Sequence, residues 1–351
     1  MSGSDLWSRV QGKMARLKHA ARLRLSMRHI HGAKRTRAGP GEVTVVALVR
    51  DGVYYLDGFL AHYRSLGARH FVFVDNGSVD GTIERLRQEP GTTIYQSHLP
   101  WGLFENDFRG FAARTCCAGR WCLYADMDEQ FDFEGAQTIG LGGLVGYLEC
   151  HGFTCLVAQM LEMFPDVPLR ETATLDFDRA LTRYSYFDPG HIRALEYHDK
   201  AIDFEYYLRG NTLANPAIKF LFGGVRHKVF GEDCALTKHP LVFVGPGVGP
   251  GVGPGVHPHC ASHVTCADFT ALIRHYKFTN DPFGRDAQSV QAAAIPHGED
   301  QQRLQAVGRA PDLTLYSNES RAYCGIADLQ HIGFLVASPR YSQFLREMRD
   351  G

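Results

Sequence analysis

Between Val43 and Asp126 the chain repeats one pattern: a short apolar run, a carboxylate close behind it, then a segment with helical spacing. Val43-Thr44-Val45-Val46-Ala47-Leu48-Val49 reads as a buried strand by its length and β-branched content. Tyr55, Phe59, Tyr63 and Leu66 follow at helical spacing. Phe71-Val72-Phe73-Val74 is a second strand, Asp75-Asn76-Gly77-Ser78 a tight turn, and Thr82 to Gln88 a short helix with Asp80 as its N-cap. Thr93 to Gln96 gives a third strand, residues 105 to 118 a helix, and Trp121 to Ala125 a fourth strand. Strands alternating with helices at this pitch require crossover connections, which predicts an α/β chain with a Rossmann-type, mostly parallel sheet flanked by helices. Ligands of such sheets sit beyond the carboxyl ends of the strands. Here those ends carry Asp51, Asp75 and Asp126.

The 351 residues, 44% of them hydrophobic, are enough for one large core. The organisation read from the pattern is a basic arm over 1–40, a ligand-binding half over 41–138, and a second half of the same domain over 139–351. Residues 245–255 repeat Gly-Pro-Gly-Val, which excludes a regular element and predicts a surface loop. The tail from Asp312 to Arg349 regains helical patterning and is expected to pack back on the body. Nine cysteines without regular spacing read as reduced thiols. With no long apolar run and no secretory leader in the first thirty residues, the chain reads as cytoplasmic.

Charge is unevenly distributed. Residues 1–40 hold ten Lys or Arg against the single acid Asp5, leaving the remainder about ten charges negative. Within residues 5–30, Leu6, Val10, Met14, Leu17, Ala21 and Leu25 recur at helical spacing among basic residues. That is the pattern of an amphipathic helix in peripheral contact with an anionic membrane, at its inner face for a cytoplasmic chain. The body lacks a basic patch with interleaved aromatics, so nucleic acid is not expected as a partner.

Tyr124-Ala125-Asp126-Met127-Asp128-Glu129 ends an apolar strand in three carboxylates. In extended backbone Asp126 and Asp128 point to the same side, roughly 6 to 7 Å apart, and like charges so placed favour a shared cation. A magnesium or manganese ion, which takes oxygen ligands and bridges phosphates, fits them.

The run Val72-Phe73-Val74-Asp75-Asn76-Gly77-Ser78-Val79-Asp80-Gly81-Thr82, followed by Trp121-Cys122-Leu123-Tyr124-Ala125-Asp126-Met127-Asp128-Glu129, resembles the family 2 glycosyltransferases with the GT-A fold. A bacterial branch of that family is resembled further through Gly223 to Phe230, Lys238-His239-Pro240-Leu241 and Leu272-Ile273-Arg274-His275-Tyr276-Lys277-Phe278. The resemblance implies an inverting, metal-dependent transfer of a sugar from a nucleotide-diphosphate sugar donor to a glycan or lipid-linked acceptor. It places Asp75 at the nucleoside, Asp126 near ribose and diphosphate, and Asp128 on the divalent metal. It also implies one C-terminal histidine on the metal, with His263 nearest that role and His257 second. Where related sequences carry an Asn-Glu pair after the first strand, this chain has Arg50-Asp51-Gly52.

Three further roles follow from the chemistry. Lys277, or the helix residues Arg109 and Arg114, would balance the leaving diphosphate. A carboxylate must take the acceptor proton; Glu162, Asp166, Glu171 and Asp188 are candidates, with Glu162 preferred because it follows an apolar strand. Trp101 and the Phe187-Asp188-Pro189-Gly190 turn are candidates for a sugar pocket. His257, His259, Cys260, His263 and Cys266 lie close together but lack the paired spacing of structural zinc sites. Two other functions are conceivable: a sugar nucleotidylyltransferase, for which Arg50 to Val53 is a poor glycine-rich loop, and a non-catalytic sugar-nucleotide-binding module.

Overall fold

The structure is a computed structural model that describes residues 3–35, 38–245, 259–291 and 298–350 and, in the first helix, the side chains at 13, 14 and from 17 on. Most of the Gly-Pro-Gly-Val stretch, and His257, lie outside these residues. The strands are β1 (Arg28–His31), β2 (Val43–Val49), β3 (His70–Asp75), β4 (Thr92–Gln96), β5 (Trp121–Tyr124), β6 (Glu129–Asp132), β7 (Cys155–Glu162) and β8 (Tyr186–Phe187). They continue with β9 (Ile192–Glu196), β10 (Thr212–Leu213), β11 (Lys219–Gly223), β12 (Thr237–Phe243), β13 (Thr265–Cys266), β14 (Ala271–His275) and β15 (Arg321–Ala322). The first four helices are α1 (Gly3–Ser26), α2 (Val53–Ser65), α3 (Thr82–Arg87) and α4 (Trp101–Cys116).

Eleven strands form one mixed, mostly parallel sheet in the order β1-β4-β3-β2-β5-β12-β7-β13-β10, with β14 pairing both β7 and β6. β4, β3, β2 and β5 run parallel, as the crossover pattern predicts. Their residues alternate between two cores: Val45, Ala47, Val49, Phe71 and Phe73 face one, Val46, Leu48, Val72 and Val74 the other. A strand buried on both faces has no polar side, which is why it reads as a continuous apolar run. α2 and the helices Ala136–Cys150 and Pro339–Asp350 contribute to the first core; Phe104, Phe108 and Ala112 of α4 fill the second with Leu23 of α1. Tyr341 and Leu345 are the buried residues of the last helix, so the tail does pack back on the body.

β12 departs from the simple pattern. It enters antiparallel between β5 and β7, and Pro240 sits inside it. Proline cannot donate to the ladder, and the register shifts between Lys238 and Leu241. The antiparallel course brings the beginning of β12, not its end, to the carboxyl edge of the parallel strands. β14, parallel to β7, ends there too: His275 lies opposite Glu162.

The basic arm is joined to this body. His19 stacks on Phe104 at 4.2 Å, its Nε2 lies 2.7 Å from Asp107 Oδ2, and β1 pairs antiparallel with β4.

Candidate functional site at the carboxyl edge of the sheet

Five strand termini converge at one rim. β5 supplies Asp126 and Asp128, β6 begins with Glu129, β7 ends in Glu162, β12 begins with Thr237-Lys238, and β14 ends in His275. The chain turns between β5 and β6, with Glu129 N donating to Asp126 O at 3.0 Å, in place of the extended backbone expected there. Asp126 and Asp128 are half-buried on either side of buried Met127.

The two aspartates have different partners. Asp126 accepts from Arg109 Nη2 at 2.8 Å and from Lys238 Nζ at 3.2 Å, and Lys238 also pairs with buried Glu129. Burial opposes ionisation of Asp126, but Lys238 and Arg109 outweigh it and hold its carboxyl well below the usual range. Burial instead wins at Glu129, whose pKa is raised despite Lys238. Asp128 Oδ2 lies 3.5 Å from His275 Nε2, while His275 Nδ1 lies 2.9 Å from Glu162 Oε1. The result is a carboxylate-imidazole-carboxylate chain. Burial disfavours the imidazolium, yet the charges of Glu162 and Asp128 raise its pKa to about 9. Asp128 and Glu162 are lowered in turn, against their burial, chiefly by His275.

Glu162 is 5% exposed, and its Oε2 has no hydrogen-bond partner. A buried carboxylate oxygen without a donor is costly in a chain that lacks a ligand. Lys277 borders the adjoining cleft with Phe278, Arg285 and Arg303. Its pKa is lowered by burial and by the charges of Arg226 and Arg303. Behind Glu162, Arg226 Nη1 stands 3.6 Å from its Oε1 and is itself held by Glu232 and by Glu299 at 3.0 Å; Arg303 ties Glu232 to Asp286.

Other expected site residues have other partners or lie away from the rim. Asp75 is fully buried, and its carboxylate accepts from Gly77 N (2.8 Å), Ser78 N (3.2 Å) and Gln96 Nε2 (3.0 Å), so it shapes the turn from inside. Asp51 accepts from Val79 N at 2.7 Å and joins the loop after β2 to that turn. His263 corrects the expected metal set. It precedes β13, whose Cys266 pairs with Cys155 at the start of β7, about 23 Å of strand from Glu162 at ~3.3 Å per residue. No bond to a metal at Asp128 spans that distance; His275 occupies the place foreseen for His263. Arg114 is exposed in the last turn of α4, about 7.5 Å further along the helix than Arg109, and Arg109 alone of the two bonds to Asp126. Asp166 pairs with Arg183 and Asp188 with Lys228, each at 2.7 Å, and Glu171 is exposed, which leaves Glu162 as the candidate base at the rim. Phe187 is core, and Trp101 opens α4 against the second core.

Among the described residues no three His, Cys, Asp or Glu side chains converge as a metal cage. Asp128 and His275 offer two donor atoms 3.5 Å apart. Magnesium is commonly bound through one or two carboxylates and completes its shell with phosphate and water; Asp128 supplies one such carboxylate, and His275 can join it once its ring has lost the proton that Glu162 and Asp128 favour. The histidines and cysteines between 257 and 266, whose spacing argued against zinc, form no metal cluster among the described residues: His259 Nδ1 lies 2.9 Å from Thr237 O, and Cys266 lies 3.7 Å from the Tyr197 hydroxyl.

A scan against protein-family models and a search of curated proteins return no match to this chain. What stands is the fold itself: an α/β chain with a large, mostly parallel sheet whose carboxyl edge gathers the carboxylates of Asp126, Asp128, Glu129 and Glu162, the histidine His275, and the cations Arg109 and Lys238.

Proposed function

We propose that the chain is a GT-A-type glycosyltransferase that moves a sugar from a nucleotide-diphosphate donor to a hydroxyl of a glycan or lipid-linked acceptor, with inversion. The observation that carries this reading is the Asp128-His275-Glu162 chain with one Glu162 oxygen left without a donor at the strand-end rim. Asp128, joined by His275 after its ring gives up its proton, would hold a manganese or magnesium ion, which supplies Lewis-acid stabilisation of the leaving diphosphate. His275 is oriented for this by its Nδ1 contact to Glu162, as a ligating imidazole usually is by a carboxylate.

Glu162 Oε2 takes the proton of the acceptor hydroxyl as that oxygen bonds to the anomeric carbon and the bond from that carbon to the diphosphate breaks. The lowered pKa of Glu162 keeps it in the ionised form that a base requires. Lys277 and Arg109 supply positive charge on opposite sides of the rim for the departing diphosphate. Asp51 and Asp75 contribute by shaping the loops after β2 and β3.

The test is a screen of nucleotide sugars with each divalent ion. The wild-type chain should release nucleoside diphosphate with at least one combination, and Asp128→Ala should lower that rate about 100-fold or more. Equal background rates for both proteins with every donor and ion would sink the proposal, and pyrophosphate release from a nucleoside triphosphate would replace it with nucleotidyl transfer.

A further inference from the structure

α1 presents an apolar stripe on the side away from the protein. At about 100° per residue, Met14, Leu17, Ala21 and Leu25 fall within an arc of roughly 80°, while His19 and Leu23 project from the opposite side. The second pair holds the helix down: Leu23 is buried in the second core, and His19 stacks on Phe104 and contacts Asp107. The stripe is left in the open, with Met14 at 53%, Leu17 at 61% and Leu25 at 85% exposure. Helices on globular proteins normally turn the apolar arc inward; this one turns it outward.

Charge flanks the stripe on both sides. Lys18 and Arg22 border one edge, Lys13 and Arg24 the other, and all four are exposed. No acidic residue occurs from Leu6 through Gly41. A second copy packed stripe to stripe would therefore set lysine and arginine against lysine and arginine, which disfavours self-association. An apolar arc bordered by cations matches an anionic leaflet, where the arc enters the acyl boundary and the cations reach the headgroups. Among the described residues no helix is long and apolar enough to cross a membrane.

We propose that α1 is an in-plane anchor by which the folded chain docks on an anionic lipid surface. The anchor sits one helix away from the rim: α1 packs on α4, and α4 carries Arg109, which bonds to Asp126. Docking would therefore hold the carboxyl edge of the sheet at a fixed orientation to the leaflet. The inference stands on α1 alone and does not depend on glycosyl transfer.

The experiment is co-sedimentation of the full chain with phosphatidylcholine vesicles, with and without phosphatidylglycerol. Wild type should partition onto the anionic vesicles at low salt and stay in the supernatant with the neutral ones. Leu17→Glu with Leu25→Glu should abolish partitioning, and Lys13→Glu with Lys18→Glu should weaken it about tenfold or more. All four side chains are exposed, so circular dichroism melting should be unchanged in each variant; Leu17→Ser with Leu25→Ser repeats the test with smaller groups. Equal sedimentation of wild type and the leucine variants would overturn the anchor. So would equal binding to neutral vesicles, or a dimer in sedimentation velocity that the leucine variants dissolve while no vesicle binding is seen.

Discussion

His275 stands between two carboxylates, and its protonation state should report on both. In metal-free protein its ring should titrate near pH 9, followed by the ring-proton chemical shifts. Glu162→Gln removes the larger of the two favourable charges and should move the titration down; an unchanged midpoint would remove Glu162 as the cause. Since the folded pKa is raised, the linked stabilisation is complete below the unfolded value of 6.5 and is lost as pH rises through about 9. If Glu162 is the base, the same substitution should lower kcat by roughly 100-fold or more with little change in donor KM. Lys238→Met strands buried Glu129 and should cost on the order of 3 kcal/mol in urea unfolding. Asp126, Asp128 and Glu162 were legible because each is a carboxylate at the end of an apolar run. Lys238 and Arg226 were not assigned roles, since the rim carboxylates they meet, Asp126 and Glu162, lie 112 and 64 positions away and no periodicity encodes such pairs.

The turn from Asp75 to Thr82 acts as a brace between two strand-end loops. Ser78 Oγ accepts from Asp51 N at 2.8 Å, Thr82 Oγ1 from Gly52 N at 2.8 Å, and Asp80 Oδ2 from Val53 N at 3.0 Å. Asp80 also accepts from Thr82 N at 3.0 Å, one residue ahead of the cap position at Gly81. Gly77 closes the turn at φ +88°, where a β-carbon would stand 2.8 Å from His98 Nδ1. Gly77→Ala should therefore destabilise the chain by about 1–3 kcal/mol and lower its melting temperature, measured by calorimetry. The parallel strands were readable from their apolar runs and the crossover pitch. β12 was not, because Pro240 interrupts its pattern and its neighbours β5 and β7 are distant in sequence. The same gap misplaced the histidine: nothing local reveals that His263 precedes a strand starting at the far end of β7.

Across the whole molecule, the strands with cores on both faces should open last. Native-state hydrogen exchange should find the strongest protection in β2, β3 and β5, and faster exchange in β1 and in the two-residue strands β10 and β13 at the other edge. β1 has a second role there, because it pairs along β4 from Gln96 to Ile94 and covers what would otherwise be the open edge of the parallel sheet. The segment that carries α1 thus also finishes the sheet. A chain clipped after residue 37 would bare β4 together with the Phe104 and Asp107 surface, and should self-associate in size-exclusion chromatography. If α1 is the anchor proposed above, trimming after residue 37 would not yield a well-behaved chain free of it, and release from a surface would come instead from weakened attraction, by salt or by loss of positive charge, with the polypeptide intact.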